Sequence, residues 1–122
     1  MRRKNILVID DELDMCEALR DFLTDKGYQV SLCTEGEKAL EMVEKSAPEV
    51  ILLDIKMPGT DGLKVLRELK KIKHNARVFI ITAYGDPDIF TQFIELGAIG
   101  CINKPFDGKK IVDLIEGRGG GG

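Results

Sequence analysis

Four apolar runs in this chain each end on a polar group capable of chemistry. Ile6-Leu7-Val8-Ile9 leads into Asp10 and Asp11, with Glu12 beside them, and Val50-Ile51-Leu52-Leu53 leads into Asp54. Val78-Phe79-Ile80-Ile81 ends on Thr82, and the weaker run Ala98-Ile99-Gly100-Cys101-Ile102 ends on Asn103 and Lys104. Loops commonly begin with polar residues. That habit does not require acids directly after two buried runs, where desolvation is costly, nor a hydroxyl and an amine after two others. Two carboxylates about 5 Å apart repel by roughly 3 kcal/mol at an effective dielectric near 20, and a divalent cation removes that repulsion. A small all-oxygen donor set suits Mg²⁺, which keeps several waters, and the lack of soft ligands after these runs disfavours zinc. Mg²⁺, an ammonium and a hydroxyl around a carboxylate make a site for a phosphoryl group. The carboxylate attacks phosphorus while the cation and Lys104 neutralise the phosphoryl oxygens.

These groups converge only if the runs are neighbouring strands. The first three runs do not alternate with polar residues, the pattern of parallel strands covered on both faces. Tyr28-Gln29-Val30-Ser31-Leu32 does alternate, as an edge strand with one wetter face would. Helices fill the gaps. Met15, Leu19, Phe22 and Leu23 recur at helical spacing before Gly27, a C-terminal cap. Ala39, Leu40 and Val43 form a second stripe that stops before Pro48, and Leu63, Leu66, Leu69 and Ile72 a third. Asp86-Pro87 reads as an N-cap and first helical residue, followed by Ile89, Phe90, Phe93 and Ile94 and ended by Gly97. A last helix runs from about Asp107 to Glu116. The order is βα repeated five times, an α/β doubly wound domain, in which ligands bind beyond the carboxyl ends of the strands.

The chain has 122 residues, the size of one domain, and its 18 basic against 21 acidic residues give a net charge of −3. That lacks the positive excess duplex phosphates demand, so no direct nucleic acid binding is expected. No apolar run approaches the roughly 18 residues of a membrane span. Met1-Arg2-Arg3-Lys4 leads only into Ile6 to Ile9, short of the about 7–15 apolar residues of a signal peptide. Cys16, Cys33 and Cys101 are odd in number and widely spaced, as reduced thiols are, so a cytoplasmic location and no membrane association are expected. Residues 117–122, Gly-Arg followed by four glycines, read as a flexible tail after a domain spanning residues 1–116.

Taken together, Val8-Ile9-Asp10-Asp11-Glu12, Leu53-Asp54-Ile55-Lys56-Met57-Pro58-Gly59-Thr60-Asp61-Gly62, Ile81-Thr82-Ala83 and Lys104-Pro105-Phe106 resemble the receiver domains of two-component response regulators. The likeness covers residues from about 5 to 115. It implies a flavodoxin-like, five-stranded parallel sheet in the order 2-1-3-4-5, with five helices on two faces. By the same resemblance, Asp54 is the phosphoacceptor, served by the phosphohistidine of a histidine kinase or a phosphotransfer protein. Asp11, Asp54 and the Lys56 carbonyl ligate Mg²⁺, and Asp10 holds a metal-bound water. Thr82 and Lys104 contact phosphoryl oxygens, and Lys104-Pro105 is a cis peptide. Lys56 and Tyr84 stand where the family tunes dephosphorylation, a pairing similar to stand-alone receivers of the sporulation phosphorelay. Such a domain is a signalling switch rather than a metabolic enzyme, though it catalyses its own phosphorylation and slow dephosphorylation.

The implied switch positions are Thr82, Tyr84 and Cys101. Many members carry Tyr or Phe at the third of these, and cysteine cannot sweep that volume, so the switch is expected to rest on Thr82 and the loop of Tyr84 and Gly85. Output is expected through the fourth helix and fifth strand to an effector protein or domain, from a monomer or a phosphorylation-dependent dimer. Two contexts stay open: a single-domain relay protein, or the receiver of a longer DNA-binding transcription factor. An aspartate-nucleophile Mg²⁺ phosphohydrolase of the haloacid dehalogenase type is disfavoured, because its Asp-x-Asp is replaced by Asp10-Asp11-Glu12-Leu13. Other polar groups read as solvated surface: His74, and the basic cluster Lys64, Arg67, Lys70, Lys71 and Lys73.

Overall fold

The structure, a computed structural model, describes residues 4–57, 60–72, 75–82, 87–104 and 107–117, at 60 and 87–90 by backbone only. Outside that set lie Ala83, Tyr84, Gly85, Asp86, His74, Lys73, Pro58, Gly59, Pro105, Phe106 and residues 118–122, and with them the expected cis Lys104–Pro105 bond. Five strands form one sheet: β1 (Asn5–Ile9), β2 (Gln29–Cys33), β3 (Val50–Asp54), β4 (Arg77–Thr82) and β5 (Ala98–Asn103). All neighbours are parallel, in the order β2-β1-β3-β4-β5. The helices are α1 (Leu13–Asp25), α2 (Ala39–Ser46), α3 (Gly62–Lys71), α4 (Pro87–Glu95) and α5 (Gly108–Ile115).

Side chains of one strand point alternately to the two faces, and each face has its own core. Ile6, Val8, Leu52, Phe79 and Ile81 pack with Cys16, Leu19 and Leu23 of α1 and Ile111 and Ile115 of α5. Leu7, Ile9, Ile51, Leu53 and Ile80 pack with α2, α3 and α4 through Ala39, Val43, Val65, Leu66, Leu69 and Phe93. β1 and β3 are therefore buried on both faces, as their unbroken apolar runs require. The edges behave differently: β2 is part-exposed, and Ile99 of β5 is open to solvent.

The α1 stripe is placed differently from expectation. Cys16, Leu19 and Leu23 are the buried positions, while Met15 is half-buried and Phe22 exposed. At about 100° per residue, the i, i+3, i+7 set faces the sheet, and positions 15 and 22 sit one step to its side. Phe22 lies instead against the start of α5, where a Cβ on Gly108 would fall 2.6 Å from its ring. Helix ends follow the expected chemistry. Asp61 and Asp107 cap α3 and α5 by accepting from the N–H of Leu63 and Lys109. Gly27 and Gly97, at φ 98° and 103°, follow α1 and α4 in the left-handed region that favours glycine.

Lys4 and the end of α5 meet at the end of the sheet where the strands begin. The Ile115 carbonyl accepts from Arg77 at 2.5 Å and from Lys4 at 3.4 Å. Glu116 pairs with Lys4 at 3.6 Å and accepts from the Tyr28 hydroxyl. Cations at the C-terminal end of α5 also complement its dipole. Among the described residues, no helix is long and apolar enough to cross a membrane.

Candidate functional site

Strand register alone brings the polar groups to the opposite end of the sheet. Asp54 pairs with Ile81, one residue before Thr82, and Thr82 pairs with Asn103, one residue before Lys104. The Lys104 N–H continues that ladder by donating to the Thr82 carbonyl at 2.9 Å. On the other side, β1 delivers Asp10, whose N–H donates to the Cys33 carbonyl at 3.0 Å. Asp10, Asp54 and Thr82 are buried polar residues.

One local device fixes both buried acids. Asp10 Oδ1 accepts from the Glu12 N–H at 3.0 Å, and Asp54 Oδ1 from the Lys56 N–H at 2.9 Å. In each case the side chain satisfies the backbone two residues on, a turn for which aspartate is suited. The second oxygen of each acid is thereby turned toward Lys104. Its ammonium lies 3.0 Å from Asp54 Oδ2, 3.1 Å from Asp10 Oδ2 and 2.5 Å from Glu12 Oε1. The Asp10 contact is a close ion pair without hydrogen-bond geometry, which leaves Asp10 Oδ2 buried and without a hydrogen-bond partner.

The electrostatics follow from three acids around one base. Burial pushes the Asp10 carboxyl up to about 6; the Glu12 N–H opposes this, the Asp54 carboxylate adds to it and Lys104 again opposes. Burial disfavours the charge on Lys104, yet hydrogen bonds to Glu12 and Asp54, with the Asp10 carboxylate close by, outweigh it and hold the ammonium above the ordinary lysine range. Oxygens of Asp10, Glu12 and Asp54 all lie within 4.8 Å of one another. That hard-oxygen set, with a buried carboxylate oxygen lacking a hydrogen-bond partner, fits a small divalent cation.

The expected residues are thus brought together unevenly. Asp10, Asp54 and Lys104 touch, and Thr82 stands at the adjoining strand end. Asp11 is exposed and lies outside the three-acid group. Lys56 is exposed on a short antiparallel pairing, Lys56–Met57 with Thr60–Asp61, that precedes α3. Cys101 is half-buried opposite Ile80, and burial pushes its thiol above the usual range. Tyr84 lies outside the described residues. In the sequence Glu12 stands out only as an acid directly after the Asp10-Asp11 pair, with no role beyond standing near them. Its contact with Lys104 joins residues 92 apart, which no local pattern shows.

A sheet of this order with an acid cluster at its carboxyl edge is the arrangement of a known signalling fold. Residues 6–116 match the family model described as the response regulator receiver domain, and the chain belongs to that family. It is 39% identical over 116 residues to sporulation initiation phosphotransferase F of Bacillus subtilis, covering 95% of this chain and 94% of that protein. It is also 36% identical over 107 residues to the transcriptional regulatory protein ZraR of Klebsiella oxytoca, covering 88% of this chain and 24% of that protein. Among solved structures, a CheY-like receiver domain from Methanospirillum hungatei superposes with a TM-score of 0.88 at 23% identity, covering 95% of this chain and 93% of that one. The protein is therefore a response regulator receiver, a signalling switch of the kind that engages histidine kinases or phosphotransfer proteins and effector domains.

Proposed function

We propose that Asp54 takes a phosphoryl group from the phosphohistidine of a histidine kinase or phosphotransfer protein, in a Mg²⁺-dependent step. A carboxylate oxygen of Asp54 forms the new bond to phosphorus. The phosphorus–nitrogen bond breaks, and the imidazole leaves with the bonding electrons and takes a proton from solvent. The observation that carries this reading is the Lys104 ammonium held 3.0 Å from Asp54 Oδ2 on a buried strand end, with Oδ1 fixed by the Lys56 N–H. Lys104 and the Thr82 hydroxyl bind phosphoryl oxygens as charge builds on them. Asp11, Asp54 and the Lys56 carbonyl would hold Mg²⁺, with Asp10 holding a metal-bound water, and the ion would neutralise phosphoryl charge. Slow attack of water on the acyl phosphate restores Asp54 and releases phosphate.

The switch rests on Thr82 and the loop of Tyr84 and Gly85, and output leaves through α4 and β5, where Ile94 and Ile99 are 41% and 53% exposed. Residues 1–116 form the receiver unit, with 117–122 as a tail, working in the cytoplasm as a monomer or a phosphorylation-dependent dimer. The match to the longer regulator supports a second context, a receiver attached to a DNA-binding effector. Acetyl phosphate with Mg²⁺ tests the acceptor. Intact mass is expected to show one added phosphoryl group, absent without Mg²⁺ and absent in Asp54→Asn. Equal labelling of that variant removes Asp54 from the role.

A further inference from the structure

We propose that Glu12 is a positioning residue that holds Lys104 in the unphosphorylated protein and competes with the phosphoryl group for it. The inference rests on the reading of Asp54 as acceptor. Glu12 stands at the N-cap position of α1, where an acid is ordinarily drawn to the free N–H groups of the first turn. Its side chain makes no capping hydrogen bond and reaches to Lys104 Nζ at 2.5 Å. The three acids facing this ammonium are not equivalent. Asp10 and Asp54 are buried and each is tied by a backbone N–H, whereas the Glu12 side chain is 53% exposed with no such tie. It is the one of the three that can turn into water. A phosphoryl group brings about −2 charge to Asp54. Lys104 then pairs with phosphoryl oxygens, and Glu12, now beside like charge, is released. A neutral side chain at this position leaves Lys104 free for the incoming group.

Titration with beryllofluoride, a phosphoryl mimic, at saturating Mg²⁺ and followed by amide NMR shifts, tests this. Glu12→Gln is expected to bind the mimic about two- to five-fold tighter than the wild type, the range for a part-exposed ion pair. In a Lys104→Ala background the same substitution is expected to change affinity less than two-fold, since the group through which Glu12 acts is gone. Unchanged or weaker binding by Glu12→Gln, in a protein whose thermal unfolding matches wild type, overturns the proposal. So does an equal gain in both backgrounds, which would make Glu12 act on the ligand directly. A wild-type protein that binds no beryllofluoride overturns the acceptor reading as well, and that outcome is visible before any variant is made.

Discussion

Asp10 carries a carboxyl raised to about 6, chiefly by burial, where an unfolded aspartate titrates near 3.9. Between those values the folded chain binds more protons than the unfolded one, so stability falls as pH rises. The metal-free protein is therefore expected to lose on the order of 2–3 kcal/mol between about pH 4 and pH 6. Urea unfolding across that range should show the slope in wild type and its loss in Asp10→Asn. A slope that survives the substitution assigns it elsewhere. Cys101 and Thr82 offer a second contrast. The thiol is small, half-buried and held in its neutral form, whereas Thr82 ends a strand one register step from the Asp54 pairing. With beryllofluoride bound, Cys101→Ala is expected to bind its partner within about two-fold of wild type, and Thr82→Ala to lose most of the response to the mimic, given the thiol's weak hydrogen bonding. Partner titrations in the presence and absence of the mimic decide it; lost coupling in a folded Cys101→Ala would make the cysteine a switch residue.

The loop after β3 returns to begin α3 against its own backbone. A Cβ on Gly62 would lie 2.7 Å from the Ile55 Cα, next to Asp54, and a backbone atom cannot step aside as a flexible side-chain end can. Gly62→Ala is expected to cost about 1–3 kcal/mol, the range for overpacking, and to slow Asp54 phosphorylation by shifting residue 55. Thermal unfolding and the initial rate of labelling measure both; an unaltered rate would separate the packing from the site. This close approach also shows what sequence patterns convey about elements. β1, β3 and β4 were legible as unbroken apolar runs, and Asp10, Asp54, Thr82 and Lys104 as the polar groups that end strands. The pairing of Lys56–Met57 with Thr60–Asp61 was not, because two-residue strands have no period to detect. Nor was the place of Phe22, which depends on a glycine 86 residues away, nor the Glu12–Lys104 contact, which only the order of the strands creates. That order came from the motif resemblance rather than from periodicity, which gives alternation without neighbours.

Across the whole molecule, each strand serves two cores at once. Leu52 belongs to the α1–α5 side and Leu53 to the α2–α3–α4 side, so neither layer is closed without the sheet between them. The polar work is divided between the two edges of the same sheet: acids and Lys104 where strands end, and Lys4, Arg77, Tyr28 and Glu116 where they begin. Because the latter group gathers residues 4 and 116 at contact distance, the architecture has no need of the particular order in which its chain is written. A short flexible bridge from residue 117 back to residue 4 closes a small loop, for which the entropy of closure is modest. New ends can then be opened between Gly97 and Ala98, where the exposed turn residue Gly97 meets buried Ala98 at the start of the edge strand β5. Such a circular permutant, beginning on β5 and finishing on α4, is expected to recover the wild-type amide spectrum in the sheet and to accept a phosphoryl group at Asp54. A permutant that fails to fold would show that synthesis order, and not only the set of contacts, is needed to reach this architecture.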